Sequence, residues 1–482
     1  MSAPADATAQ GALARARARL DACGQGHLLH FWESLSGPAR TALLTQLDQL
    51  PLEEIPDMLA RSGAEKAPDP ASLSPVSCVT RSDAEHERWT LTGEAMIRAG
   101  EVAAFTVAGG QGTRLGWRGP KGTYPATVLT GKPLFRTFAE QLLAVERRYG
   151  VSIPWYIMTS PQNDAETRAF FQDNNHFGRR ASDHFLFPQG VVPSVDPQGR
   201  ALLASPSEVA TNPDGHGGSL RALHASGALM DMSQRGVRHI SYFQVDNPLV
   251  RIMDPLFLGM HAAHPASGGE MSSKVVPKRD AAEKVGVLCR GPGPGGASVV
   301  RVIEYSDLPR QLAEARDAAG RLRFDAGNIA VHVLSVAFVA RLNQDEGHFG
   351  LPWHRALKKI PCVDLASAAV VEPAAPNGIK FETFVFDALT RAERPLVLET
   401  SRDEEFAPIK NADGEDSPAS SHRMQSERAA RWLAACGVRI PRRPDGSVDA
   451  RLEIGPLTAL AAEDLRGAAL PAEITRGADL VF

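Results

Sequence analysis

The chain has 482 residues, of which 43% are hydrophobic and 22% charged, and its net charge at neutral pH is −4. That length holds a large core and more than one domain. The slightly acidic balance provides no general basic surface for nucleic acid, and no apolar run approaches the ~20 residues of a membrane span.

Residues 1–98 read as helical. Leu43, Leu44, Leu47 and Leu50 recur at helical spacing behind a start signal at Ser36-Gly37-Pro38. Phe31 and Trp32 read as packing residues. The Ala- and Arg-rich stretch 12–20 reads as a surface helix, although a transit peptide has a similar composition. The Pro- and Ser-rich stretch 67–75 reads as a connection. From Glu101 onward, short apolar runs alternate with helical stretches. Strands are expected at 102–107, 153–159, 239–245, 329–338 and 396–399, and helices at 133–149 and 218–235. That alternation predicts an α/β domain with a mostly parallel sheet, whose ligands sit at the carboxyl ends of the strands. The glycine-rich stretch 291–296 reads as a hairpin tip, 428–433 as helical, and the last forty or so residues as β-containing. Cys23, Cys78, Cys289, Cys362 and Cys436 are scattered, with no C-x-x-C pair. They predict reduced, buried thiols in a cytoplasmic protein, not a disulfide framework or a zinc site.

The most informative segment is Ala108-Gly109-Gly110-Gln111-Gly112-Thr113-Arg114-Leu115-Gly116, followed by Pro120-Lys121. It comes directly after the apolar run Val102-Ala103-Ala104-Phe105-Thr106-Val107, so a buried strand runs into a glycine loop. Glycines let backbone N–H groups close on an anion, and Arg114 and Lys121 add positive charge beside them. The spacing is neither that of a P-loop nor G-x-G-x-x-G, since Leu115 stands where the last glycine would be. The pattern fits a site for a nucleoside triphosphate.

This segment resembles the G-G-x-G-T-x-L-G…P-K signature of the UDP-sugar pyrophosphorylase family, and most closely its eukaryotic-type UDP-N-acetylglucosamine branch. Further blocks follow in the family's order. They include Phe187-Pro188-Gln189-Gly190, Val245-Asp246-Asn247, Val285-Gly286-Val287, Ile303-Glu304-Tyr305-Ser306, Asp325-Ala326-Gly327-Asn328, Asn377-Gly378-Ile379-Lys380 and Pro408-Ile409-Lys410-Asn411-Ala412. The resemblance covers residues from about 27 to 440. It implies a Rossmann-like, mostly parallel but mixed sheet of the glycosyltransferase-A-like nucleotidyltransferase type. The expected organisation is a helical region at 1–98, a catalytic domain at 99–412 and a small C-terminal domain at 413–482.

The implied reaction joins UTP to a hexose 1-phosphate, N-acetylglucosamine 1-phosphate being favoured, and releases pyrophosphate. It needs no protein nucleophile, only positioning and charge stabilisation. Neither nucleic acid nor a membrane is an expected partner. The resemblance implies Arg114, Lys121 and Lys410 as catalytic cations and Asp246 as the ligand of a Mg2+ cofactor, a hard cation that takes carboxylate oxygen. It implies Gly109, Gly110, Gly112, Thr113, Gln189 and Gly217 as nucleotide contacts, with Gln189 offering both a donor and an acceptor. For the sugar it implies Gly286, Glu304, Asn328 and Phe384, and His216 and Asn247 are further candidates for the same subsite. Phe384 and Phe386 are expected to alternate along a strand, with at least one in the core.

One stretch departs from the pattern. Pro213-Asp214-Gly215-His216-Gly217-Gly218 carries His where the acetylhexosamine branch usually has Asn, and the UDP-glucose branch has Gly-His-Gly-Asp. That leaves open a UDP-glucose or broad-specificity enzyme. A nucleotide-sugar binding protein without catalysis is a further alternative, against which the four charged residues speak. A glycosyltransferase is disfavoured, because Asp246 is followed by Asn247-Pro248 and not by the Asp-x-Asp metal motif.

Overall fold

The computed structural model describes residues 3–62, 69–293, 296–344 and 349–482. They fall into two compact units. The larger comprises Pro68–Pro188, Leu220–Gly350 and Phe386–Phe482. Its centre, among the described residues, is an eleven-stranded sheet. The main path runs in space through Val79–Thr80, Leu396–Glu399, Met271–Pro277, Ala326–Ser335, His239–Gln244, Val102–Val107, Trp155–Thr159 and His184–Pro188. Neighbours are parallel except at Ala326–Ser335, which runs antiparallel to the strands on both sides. Val102–Val107 and Trp155–Thr159 are buried almost throughout, which is why they read as unbroken apolar runs. The mixed α/β sheet inferred from the sequence is therefore present.

Helix Leu134–Tyr149 turns Phe135, Phe138, Leu142 and Val145 toward this sheet and ends on Gly150, whose φ of +67° suits a residue without a Cβ. Helices His86–Arg98 and Pro255–Ala263 approach each other through Gly93 and Gly259. A Cβ on Gly93 would lie 1.9 Å from the Pro255 carbonyl oxygen, and one on Gly259 would lie 1.8 Å from that of Trp89. Backbone cannot yield as a side-chain tip can. Gly259→Ala is expected to cost about 2–4 kcal/mol of stability by overpacking; a thermal midpoint equal to the parent's would contradict this packing.

The smaller unit comprises Met1–Ala67, Gln189–Ser219 and Leu351–Val385. Helix Gly37–Gln49 buries Leu43 and Leu47, joined by Leu50, against Val195, Leu203, Val209 and Phe381. Leu44 is only half-buried at the edge of this cluster, and Trp32 lies inside it. The Gln25 amide bridges backbone remote in sequence, donating to the Gly199 carbonyl and accepting from the Ala201 N–H, both at 2.9 Å.

Several local expectations are corrected. The helical stretch 218–235 is two helices, Gly218–Ala225 and Ala228–Gln234, broken at Gly227 with φ of +80°. The apolar run 329–338 is the end of strand Ala326–Ser335 and the start of helix Val336–Leu342, where the Ser335 hydroxyl caps the Phe338 N–H. Phe384 and Phe386 do not alternate along a strand. The strand stops at Glu382, and Phe386 lies in the 3-10 turn Val385–Thr390. All five cysteines are free, but only Cys289 is buried. In the hairpin read at 291–296, strands Val287–Pro292 and Ser298–Ile303 do pair, while 294–295 lie outside the described residues. Most of the connection read at 67–75 is described, residues 69–75, and it holds the short turn Pro70–Ser72 and the strand Ser74–Pro75. At the C-terminus, helix Pro418–Ala435 packs beside the parallel strands Ala450–Glu453 and Ala478–Val481. No helix among the described residues is long and apolar enough to cross a membrane.

Candidate active site

Strands Val102–Val107 and His239–Gln244 are parallel neighbours in register, and the Val245 N–H donates to the Val107 carbonyl at 3.1 Å. Their carboxyl ends therefore release the glycine loop and Asp246 side by side, where an open parallel sheet holds its ligands.

The glycine loop folds back on the segment that follows it. Gly112 N–H donates to the Gly119 carbonyl and Lys121 N–H to the Gly110 carbonyl, both at 3.1 Å. This brings Lys121 beside the loop. Gly112 has to be glycine, since a Cβ there would sit 2.6 Å from that of Trp117. Gly110, Thr113 and Arg114 lie along the exposed rim, with Gly109 half-buried behind them. Asn163, fully buried, braces the loop from below. Its amide donates to the carbonyls of Ala108 at 3.1 Å and Gly110 at 3.4 Å, and accepts from the Ser160 N–H at 2.7 Å.

The Lys121 ammonium lies 3.8 Å from an Asp246 carboxylate oxygen. Burial lowers the Lys121 pKa. Asp246 opposes that shift, and the nearby charges of Lys410 and Arg114 reinforce it. Arg114, Asp246 and Lys410 thus all lie close enough to act on Lys121. The segment carrying Lys410 is tied directly to Asp246, whose carbonyl accepts from the Ile409 N–H at 2.8 Å. Asp416, whose carboxylate lies 3.6 Å from the Lys410 ammonium, is a second acidic neighbour, so three cations face two carboxylates, a balance that still favours a polyanion.

Asn247 takes a different place from the sugar contact expected of it. It is buried, and its amide donates to the Glu405 carbonyl at 2.6 Å and accepts from the N–H groups of Ala407 at 3.0 Å and Leu249 at 3.2 Å. Its side chain staples the two loops together.

Gly286, Glu304 and Asn328 are brought together. Asn328 N–H donates to the Gly286 carbonyl at 2.8 Å, and a Cβ on Gly286 would come within 3.0 Å of the Glu304 carboxylate. Strand Met271–Pro277 loses regular register with Ala326–Ser335 between Ser273 and Val275. In that bulge Ala330 is left-handed at φ +53°, and its N–H donates to Asn328 Oδ1 at 3.0 Å. A strained bulge that aims a side chain is typical of a ligand site.

The smaller unit holds Gln189, His216, Gly217 and Phe384. Gly217 is packed so closely on 383–384 that a Cβ would lie 2.6 Å from Phe384 N, and its N–H is committed to the Thr383 carbonyl at 2.8 Å. His216 Nδ1 accepts from the Val385 N–H at 3.1 Å, which leaves the ring proton on Nε2. Phe384 is flanked by His216 at 5.2 Å and His354 at 4.5 Å between ring centroids. Desolvation, aided by His354, pushes the His216 pKa down to about 4. Asn163 and His354 are absent from the sequence-derived set. Asn163 carries only the ordinary signal of a helix start, and its reach back to the loop is a tertiary fact.

A family model described as UTP–glucose-1-phosphate uridylyltransferase matches residues 71–419. The chain is 37% identical over 444 residues to UDP-N-acetylhexosamine pyrophosphorylase-like protein 1 of Xenopus tropicalis, covering 88% of this chain and 85% of that protein. It is 37% identical over 441 residues to UDP-N-acetylglucosamine pyrophosphorylase of Saccharomyces cerevisiae, covering 86% and 90% respectively. Among solved structures, uridine diphosphate N-acetylglucosamine pyrophosphorylase from Trypanosoma brucei, crystallised with an inhibitor, superposes with a TM-score of 0.77. That match has 26% identity and covers 95% of this chain and 96% of that one.

Proposed function

The chain belongs to the UTP–glucose-1-phosphate uridylyltransferase family, a family of nucleotidyltransferases, and we propose that it makes UDP-N-acetylglucosamine from UTP and N-acetylglucosamine 1-phosphate. The observation that carries the reading is the grouping of Arg114, Lys121, Asp246 and Lys410 around a glycine loop at the ends of two parallel strands.

A phosphate oxygen of the sugar 1-phosphate attacks the α-phosphorus of UTP in line. The new P–O bond forms as the bond from that phosphorus to the β-phosphate oxygen breaks, and pyrophosphate leaves with the electron pair. Loop amides and the cations hold the triphosphate and offset the charge that builds on the leaving group. Asp246 would hold Mg2+, since a hard cation takes carboxylate oxygen. There Mg2+ would supply further neutralisation of phosphate charge. Gln189 is assigned to the uracil edge, and Glu304 and Asn328 to the sugar hydroxyls. The free thiols fit a reducing, cytoplasmic setting.

Pyrophosphate release from UTP with N-acetylglucosamine, N-acetylgalactosamine and glucose 1-phosphates tests the reading; inactivity with all three at millimolar Mg2+ defeats it. His216, in the loop stapled to Phe384, supports a second reading in which glucose 1-phosphate competes. His216→Asn is expected to shift the ratio of kcat/KM between the acetylated and plain sugars by about tenfold, the scale of one hydrogen bond gained or lost. Because His216 is held neutral, it should add no inflection to the pH–rate profile near its ordinary value of about 6.5. The sign follows from the depressed pKa. The stability present above about 6.5 is lost progressively as pH falls from there to about 4, below which no more is lost. An unchanged ratio would remove His216 from the specificity argument.

A further inference from the structure

Behind the phosphate-binding loops lies a set of charges that the reaction does not touch. Lys274, on strand Met271–Pro277, has no exposed surface. Its ammonium donates to Asp254 at 2.6 Å and to Glu405. Arg81 closes the group from the rim. One of its nitrogens lies 2.5 Å from Asp254 and 3.2 Å from Glu405, and a second lies 3.2 Å from Asp254. The Thr400 hydroxyl adds a bond to Glu405 at 2.5 Å. Burial works against ionisation of Asp254, but the charges of Arg81 and Lys274 prevail and hold its carboxyl well below the usual range.

A buried ionic cluster of this kind contributes little net stability relative to apolar side chains of equal volume. What it supplies is direction, and here the direction is specific. Asp254 stands at the end of the loop that begins with Asp246. Glu405 stands at the start of the segment that ends with Lys410. Lys274 binds both carboxylates. Glu405 is also the residue whose carbonyl receives the Asn247 amide, and Ala407 and Ile409 just beyond it bond to Asn247 and Asp246. The loop with the acidic site residue and the loop with the distal cation are thus pinned from the rear by one ammonium group.

We propose that Lys274 is a positioning residue for the reaction, setting Asp246 and Lys410 at the spacing the triphosphate requires without touching substrate. This rests on the uridylyltransferase reading above.

The test compares the full-length parent with Lys274→Met and with the charge-balanced double variant Lys274→Met/Glu405→Gln. The single variant orphans a buried carboxylate, so it should lose both stability and turnover. The double variant removes one charge of each sign and leaves the Arg81–Asp254 pair, so its thermal midpoint should return toward the parent's. Its kcat should nevertheless stay about 10- to 100-fold down, with a smaller change in KM for UTP, because displaced loops misplace the reacting groups. A double variant that folds and keeps kcat within threefold of the parent overturns the proposal. If the single variant does not fold, the double variant alone decides. A parent inactive with every sugar phosphate would defeat the uridylyltransferase reading instead. The positioning claim is then read from UTP affinity in Mg2+, which the double variant should weaken at least threefold and which, if unchanged, sinks it.

Discussion

Lys121→Met is expected to lower kcat/KM by about 10²- to 10³-fold, the usual loss when a charge-stabilising donor is removed from a closed site. The same change should leave the thermal midpoint of the ligand-free protein unchanged or raised. Burial and the nearby Lys410 and Arg114 lower the Lys121 pKa in spite of Asp246. A lysine whose folded pKa lies below its unfolded one destabilises the fold while it is charged, and that penalty fades as pH rises through the folded value toward about 10.4. Methionine keeps the aliphatic volume and removes the penalty. Activity and stability should therefore move apart, which a loss of packing would not produce. Steady-state kinetics and thermal unfolding at the same pH make the comparison. A midpoint several degrees lower, with activity little changed, would place Lys121 among structural residues.

Asp246→Asn should be about as damaging to turnover, and for a separable reason. The amide keeps the shape of the side chain and the backbone bond from Ile409. It removes the negative charge that faces Lys121 at 3.8 Å. Two consequences follow. At saturating Mg2+ kcat should fall by about 10²-fold or more, and half-saturation should require several-fold more Mg2+, since a neutral amide is a poorer ligand for a hard cation. The Lys121 ammonium also loses its attractive partner, so the alkaline limb of kcat/KM should move to lower pH. A Mg2+ titration superimposable on the parent's would remove Asp246 from the metal assignment, whatever happened to kcat.

Much of the larger unit was legible because its signals are local. Val102–Val107 followed by glycines announces a buried strand and an anion loop, and Leu396–Glu399 is a strand with the expected bounds. What stayed hidden depends on partners distant in the chain. Asn163 holds the Gly110 carbonyl from 53 residues away. Lys274 reads as an ordinary charged residue until the sheet places Glu405, 131 residues on, against it. The smaller unit joins three separate stretches of chain, and no local periodicity announces that the Gln25 amide will bridge Gly199 and Ala201. Phe384 was misplaced on a strand because an apolar alternation across 384–386 looks the same whether the chain stays extended or turns into a 3-10 segment, as it does at Val385.

The order of strands also bears on how such a chain matures. Leu396–Glu399 inserts between Val79–Thr80 and Met271–Pro277, and it leads directly into the segment that delivers Lys410. Its partner Val79–Thr80 leaves the ribosome more than 300 residues earlier. Until that last strand is threaded home, the emerging polypeptide exposes an unpaired sheet margin and lacks Lys410, one of the cations proposed for the triphosphate. Competence therefore arrives late and all at once, and N-terminal fragments that stop before residue 396 should neither hold nucleotide nor resist proteolysis as the whole chain does.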